Sequence, residues 1–592
     1  MKRYIAVLIL LPSLCFGQYW GERATEKSFE SSAMYFESQF LNPYGLHRFG
    51  DAAVGLIDDP FLALQLNPAN IPRIQPGDYL LYLDFRGDRD EVDVIDHYYG
   101  VPYDYFGYRP TPRWYSTTRE EPAPILSLGF LSYPFGPKAD NVFIGGTYQV
   151  IHRQEKFYTP PSMIYKYRFG YDAFGESDDV AFDVPIQNRY SGKDELLTQA
   201  HIATVMGGWS ISNRTALGLA INRTTHSRDG GYISSQADEY GDTNDRDYGY
   251  YREQGRSQQY DHYDMMAGLR RNFNSNSSGG LTLGYLSGDA DQTYLVMDSS
   301  SYRYGTEGQD SRWSRSLGRS RTNQAWSRDG RTWYGGIQLE REFKRGRILR
   351  AHYRYSRNRI DLSNHSTIRD TSNYSSQYTY NSNISRYLSV SQTIDNRTGT
   401  GERKRGTHQG MVSMQWDLDQ GSRIYAGLYF SRQRTELSSR EPVIAERWSD
   451  YQREVNDTVV STSYRRTYEE KTLVWDMESV YWTVQIPVFL RLKLNDYINA
   501  TLGVNRIMES WSTKDQTTAY FAVRDVSGSD PVVNFGERYT QPDDKKTEDY
   551  TEIISSIEVE VSPEFSVRLM VNPDFEHDFR IAQWWLSFEV RP

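Results

Sequence analysis

From Val480 to Leu494 the chain alternates, residue by residue, between apolar and polar. Val480, Trp482, Val484, Ile486, Val488, Leu490 and Leu492 share one side, while Thr483, Gln485, Arg491 and Lys493 share the other. Successive side chains of a strand point to opposite faces, so this run presents continuous hydrocarbon on one side and polar groups on the other. It is long for a soluble strand and ample for a strand tilted across a membrane. A tight turn at Asn495-Asp496 then leads into a second alternating run, Tyr497 to Arg506.

The same unit recurs six more times. Trp333 to Phe343 turns at Lys344-Arg345-Gly346 into Ile348 to Ile360, and Met411 to Leu418 turns at Asp419-Gln420-Gly421 into Ile424 to Gln433. Ile202 to Ile211 turns at Ser212-Asn213-Arg214 into Ala216 to Thr225, and Tyr263 to Phe273 passes through Asn274 to Ser278 into Leu281 to Leu286. Ile125 to Tyr133 reverses near Pro134 to Asp140 into Val142 to His152, and Ile553 to Val561 turns at Ser562-Pro563-Glu564 into Phe565 to Val571. Gly, Asn, Asp and Pro at these reversals are the residues that tight turns require. Between the pairs lie polar stretches at 87–122, 153–198, 227–258, 288–330, 361–407, 434–474 and 512–549, rich in Tyr, Ser, Arg, Asp and Asn.

Short turns alternating with long polar connections are the asymmetry of an outer-membrane β-barrel, whereas structureless loops of that length are rare inside compact soluble domains. Seven pairs give fourteen strands. Tyr79 to Phe85 and Arg580 to Val590 bring the count to about sixteen, with both ends on the periplasmic side. The reading is therefore an all-β transmembrane antiparallel barrel of about 14–16 strands with long extracellular loops. The final strand is followed by Arg591-Pro592 rather than ending on the aromatic residue that many such barrels carry. No segment approaches the run of apolar residues that a transmembrane helix needs. The strongly negative mean hydropathy is compatible with a barrel, in which only every second strand residue faces lipid. The alternative is a secreted soluble β protein such as a propeller or solenoid. Those folds repeat at fixed intervals, and no such repeat is present.

The first residues have the form of a secretory signal: Lys2 and Arg3, an apolar stretch from Ile5 to Leu14, and small Gly17 before Gln18. Cleavage there would leave a mature chain without cysteine, because Cys15 is the only one. A lipoprotein signal centred on Cys15 is disfavoured by Leu14 in the preceding place. The expected division is 1–17 signal peptide, 18–77 periplasmic or plug segment, and 78–592 barrel. Losing Lys2 and Arg3 takes the formal charge from −10 to −12. That balance argues against a nucleic-acid partner, which requires a basic surface. The 47 tyrosines and 13 tryptophans fit the interfacial girdles of a barrel, although tyrosine is also simply a good strand residue.

One stretch differs from the rest. Gly50 to Ile71 reads GDAAVGLIDDPFLALQLNPANI, immediately before the first strand. Asp58-Asp59-Pro60 is a good helix start, with an acidic cap and proline at the first position. Phe61, Leu62, Leu64 and Leu66 then form a short amphipathic helix that ends at Asn67-Pro68. In Ala52-Ala53-Val54, Asp58-Asp59 and Asn67-Pro68-Ala69 the segment resembles the N-terminal signature of FadL-like outer-membrane transporters and their PorV-type, secretion-associated relatives. Asn70 stands where those families usually have glycine, and asparagine also tolerates a left-handed turn. The match covers about twenty residues. It implies an N-terminal plug, marked here by Asp58, Asp59, Asn67, Pro68 and Ala69, that gates a path for hydrophobic molecules. Without the resemblance, the same residues read as a small helix capping the periplasmic mouth.

Signs of catalysis are absent: there is no His-Glu-x-x-His, Gly-x-Ser-x-Gly or phosphate-binding loop. Gly208 to Ser212 begins like a nucleophile elbow but lacks the closing glycine. His152 and His201 border one long polar stretch and read as packing residues. Asp242, Asn244, Asp245 and Asp247 have the composition of a calcium loop, yet Arg246 sits among them and no glutamate closes the set. Arg312, Arg315, Arg319 and Arg321 could contact lipopolysaccharide phosphates, or pair with nearby carboxylates. The sequence reads as a non-enzymatic barrel without cofactors or metal. Its expected partners are outer-membrane lipid, lipopolysaccharide, and a hydrophobic small molecule or a secretion partner. Three functions follow, in order: passage of hydrophobic molecules, a surface or secretion scaffold, and a general porin.

Overall fold

A computed structural model describes residues 36–45, 49–70, 79–88, 125–135, 141–156, 195–240, 244–306, 312–344, 346–380, 382–418, 421–540, 544–574 and 580–591. The signal segment, Cys15 and most of the first two polar stretches lie outside the described residues.

The strands follow one another around a ring. They are β1 (Tyr79–Asp88), β2 (Leu126–Ser132), β3 (Val142–Lys156), β4 (Glu195–Ser212), β5 (Thr215–Tyr240) and β6 (Asn244–Asn274). Next come β7 (Ser277–Thr306), β8 (Arg312–Lys344), β9 (Arg347–Tyr380), β10 (Asn383–Asp417) and β11 (Arg423–Val455). The ring ends with β12 (Thr458–Lys493), β13 (Ile498–Val526), β14 (Val532–Thr540), β15 (Asp544–Ser562), β16 (Phe565–Asp574) and β17 (Arg580–Val590). Each pairs antiparallel with its neighbour, and β1 pairs with β17 from Leu81↔Val590 to Asp88↔Gln583, which closes the ring. β14 and β15 lie end to end along β13, against Gln516–Arg524 and Ile498–Thr513 respectively, so they form one interrupted stave. The result is a closed barrel of 16 staves.

The alternating runs form the lower part of the wall. Leu217, Leu219 and Ile221 on β5, Leu281 and Leu283 on β7, and Ile337 and Leu339 on β8 are exposed on its outer side. Around a soluble protein such a surface would be a liability; around a barrel it is the lipid face. An aromatic rim bounds it above, at Tyr263, Trp333, Tyr353, Tyr355 and Trp482. Ion pairs begin immediately beyond, with Arg223–Asp261 at 2.8 Å and Arg434–Glu478 at 3.0 Å. From Trp333 to Phe343 the wall rises on the order of 25–30 Å, the height of an outer-membrane hydrocarbon band. Closure leaves no free sheet edge in lipid. The protein therefore resides in the bacterial outer membrane.

The polar stretches differ from the sequence expectation. In five of the seven, the strands continue instead of giving way to loops. β9 and β10 contain 34 and 35 residues and reverse only at Ser382. Strands of that length extend about 115 Å, whereas about ten residues suffice to cross the membrane. The sequence signal fades because the outer face meets water beyond the bilayer, and the inner face keeps only local apolar patches such as Val443, Leu473, Ala519 and Phe521. Cross-strand polar contacts add to the pairing. Arg524 reaches Glu469 at 2.7 Å and Glu537 at 3.1 Å, and Ser438 donates to Asp476 at 2.7 Å. β11 and β12 reverse through Asn456 and Asp457, both with positive φ (50° and 59°), the conformation of the two-residue hairpin turn that matches strand twist.

Candidate functional site: the plugged lumen

Residues 36–45 and 49–70 lie inside the barrel. They contain two short helices, α1 (Phe49–Ala53) and α2 (Pro60–Leu66). The chain is dense in apolar residues here because it fills a lumen rather than facing water. Leu56, Ile57 and Leu62 pack against Met411, Tyr425, Phe489, Met570 and Trp585. Leu41, Phe61 and Leu64 pack against Tyr82, Leu131, Phe143, Met206 and Met266. These contacts reach wall strands on opposite sides, so the segment bridges the full bore. Each such side chain gains roughly 1.5–3 kcal/mol by leaving water.

The motif residues occupy distinct positions in this plug. Asp59 caps α2: its Oδ1 accepts from the Phe61 amide at 2.9 Å and the Leu62 amide at 3.2 Å. Asp58 faces Arg350 at 3.6 Å, and Arg350 also reaches Glu340 at 3.1 Å and Gln415 at 3.0 Å. Asn67 is fully buried. Its Nδ2 donates to the carbonyls of Leu269 and Leu281, each at 3.2 Å, while its Oδ1 accepts from the Ala69 amide at 2.8 Å. Pro68 and Ala69 sit against the wall where Gly218 and Gly268 face each other across β5 and β6. A Cβ on Gly218 would lie 2.2 Å from the Pro68 carbonyl carbon, and one on Gly268 would lie 1.9 Å from Asn67 Oδ1. The wall is glycine there because the turn docks directly on its backbone.

Asn70 differs from the expectation of a left-handed turn. It is not among the described residues with positive φ. Its side chain ties plug to wall: Nδ2 donates to the Ala63 carbonyl at 2.8 Å, and Oδ1 accepts from Gln338 at 2.6 Å and Arg270 at 3.3 Å.

Three arginines that the sequence did not single out complete the mooring. Arg86, paired with Asp84 at 2.6 Å, donates to the carbonyls of Gly45 at 2.9 Å and Asn42 at 2.7 Å. Arg568 donates to the Tyr44 hydroxyl at 2.9 Å and lies over its ring at 4.9 Å. Arg405 pairs with Glu37. No general sequence signal marks these side chains, since their plug partners lie 41 to 524 residues away. Enclosure in the barrel pushes the Asp59 carboxyl up to about 6, opposed by the nearby Arg568 charge.

Above the plug the lumen carries apolar and charged residues side by side. Phe36, Ile151, Ala200, Ile202, Leu286, Ile360 and Leu362 form an apolar wall. Arg328 lies among them, opposite Ala290 and Leu362, and donates to Gln292 at 2.9 Å, while across the bore Arg397 meets Asp395 at 2.8 Å and Glu441 at 4.0 Å. A small cavity between plug and wall, bordered by Leu66, Thr282, Tyr334 and Arg354, holds about one water molecule.

The remaining candidates are dispersed. His201 accepts or donates to the Tyr148 hydroxyl at 2.8 Å on the outer surface, two positions along from the Gln199 that faces His152. Asp242 lies outside the described residues, and Asn244, Asp245 and Asp247 begin β6 as an extended strand paired with β7 instead of forming a loop. Among the described residues no group of three metal-ligating side chains occurs. Ser210 lies within β4. Arg315, Arg319 and Arg321 point outward from β8, whereas Arg312 falls on the face continuous with the lumen.

No protein-family profile and no curated protein matches the chain. Solved structures that resemble it include the siderophore receptor PirA from Acinetobacter baumannii, at 7% identity and TM-score 0.23, covering 88% of this chain and 81% of that one. The ferric yersiniabactin uptake receptor FyuA from Yersinia pestis matches at 7% identity and TM-score 0.26, again covering 88% and 81%. The P. putida toluene transporter TodX matches at 11% identity and TM-score 0.20, covering 65% of this chain and 93% of that one. Likeness at these scores carries no argument. The assignment to the outer membrane rests on the closed ring and its lipid belt.

Proposed function

We propose that this barrel is a gated passage for hydrophobic or amphiphilic small molecules, with residues 36–70 as the gate. The observation that carries the reading is a lumen stopped by a segment that is moored to the wall around its circumference without a covalent bond. A general porin needs an open aqueous bore, and this bore is filled. The apolar strip from Ile151 to Leu362 leads down to Phe36, and it supports a substrate with a hydrocarbon body. Arg328 lies within that strip, opposite Ala290 and Leu362.

The test is single-channel recording in a planar bilayer, joined to uptake of a fluorescent alkyl probe into proteoliposomes. The intact protein is expected to be electrically silent yet to admit the probe, and deletion of 36–70 is expected to open a steady conductance. Steady conductance from the intact protein would overturn the gate. Silence without probe uptake would favour a second reading, a non-transporting surface or secretion scaffold, which the long projecting strands support because exposed segments carry recognition.

A further inference from the structure

Beyond the membrane, β7 to β12 continue the barrel wall, and the facing rule of the lumen continues with them. On the lumen-continuous side one row of directly opposed residues crosses six strands as Tyr302, Ser316, Tyr374, Ser389, Tyr451 and Ser463. The adjacent row on the membrane side has Gly318 on β8 and serine on β7, β9, β10 and β11 (Ser300, Ser372, Ser391 and Ser449). Tyr302 and Tyr374 are 38% and 39% exposed, so these rings are not core. Aromatic rings on alternate strands lie about 9.6 Å apart. The opposite side of the same strands carries Arg315, Arg319, Leu388 and Val390 together with Ser299, Ser301 and Ser375. Both faces meet water at this height, so burial does not explain why, from β7 to β11, tyrosine collects on one face alone.

We propose that this tyrosine–serine face docks a neutral polysaccharide laid across the strands. A sugar ring has an apolar C–H face and a hydroxyl-bearing edge. The first stacks on a tyrosine ring, and the second exchanges hydrogen bonds with serine hydroxyls, each of which both donates and accepts. From β7 to β11 the two rows carry no charged side chain, and cations flank the face at its β11–β12 edge, at Arg453 and Arg465. The rows also lack the contiguous apolar centre of a protein–protein interface, because serine separates the rings. Tyrosine with serine is the composition of adaptable binding surfaces, giving rigid contact area beside flexible hydrogen bonding. Weak contacts repeated along one polymer add up to firm retention.

The experiment is affinity electrophoresis of the full-length protein in detergent through gels containing dextran, mannan or mixed-linkage β-glucan, with heparin and polygalacturonate gels alongside. At least one neutral gel is expected to retard the protein, with no loss when salt is raised to about 0.5 M, where surface charges are screened. Tyr302→Ser, Tyr374→Ser and Tyr451→Ser should each weaken retention about tenfold, and the triple variant should abolish it. Leu388→Ser and Val390→Ser, on the other side, should leave it unchanged. Heat-modifiable migration confirms that each variant is a folded barrel. Free migration in every neutral gel, salt-sensitive retardation in the charged gels alone, or full retention by the folded triple variant would each overturn the proposal.

Discussion

Asn67 binds the wall and its own turn at once, so replacing it removes three hydrogen bonds from one buried place. Asn67→Ala strands the Leu269 and Leu281 carbonyls on this side and frees the Ala69 amide. A loss of about 1–3 kcal/mol in plug docking is expected, and it should register as at least about fivefold faster amide exchange across 60–70 while the barrel amides stay protected. Asp59 supplies a pH dependence. Its folded value, about 6, lies above the ordinary carboxyl value of 3.8, so the docked plug holds the proton more tightly than the released chain. Docking is favoured below pH 4, weakens as pH rises from there, and loses this contribution above 6. Exchange in 60–70 should therefore be slower at pH 5 than at pH 7.5, after correction for intrinsic rates. Asp59→Asn keeps a capping oxygen and should flatten the difference.

At the scale of elements, the register below the rim is fixed by the lipid face, since a one-residue slip would turn the hydrocarbon stripe into the lumen. The projecting part has no such constraint and contributes little to closing the ring. Excising 371–392 and joining Asp370 to Thr393, which already face each other, through an Asn-Gly turn should leave heat-modifiable migration intact. Intact migration that vanished on excision would place the barrel's stability in the projection. This division also explains what the sequence disclosed. The seven hairpins, β1 and β17 were legible because lipid demands period two. The continuation of β9 to β12 was not, since serine, arginine and aspartate fill the outer face there and the buried apolar positions, such as Leu437, Val443 and Leu473, form no long stripe. One local signal was present in the stretch 434–474: Asn456-Asp457, flanked by Glu454-Val455 and Thr458-Val459-Val460, is a hairpin turn between strand residues. In the plug, the cap at Asp59 and the turn at Asn67 were legible from local chemistry. The glycine cradle and Arg86, Arg350 and Arg568 were not, because the fold alone brings them to the plug.

For the whole molecule, the sidedness of the two rims can be tested on living cells. With Cys15 the only native cysteine and outside the described barrel, new thiols report position cleanly. Ser382→Cys, at the tip of the β9–β10 hairpin, should react with a membrane-impermeant maleimide on intact cells. Asn495→Cys, in the short turn after β12, should react only once the outer membrane is breached. The reverse pattern would invert the barrel.

The seam between β1 and β17 has a further meaning for how the molecule is made. The staves that meet there are the first and the last of the barrel in chain order, so the cylinder is complete only when the two ends of the sheet are brought together. Residues 36–70 precede every stave. If they dock before that seam closes, the wall is wrapped around them in the manner of a hoop set about its bung. A plug that precedes its barrel has no need to thread a finished pore, and the sheet gains a surface to curl against before its own edges meet.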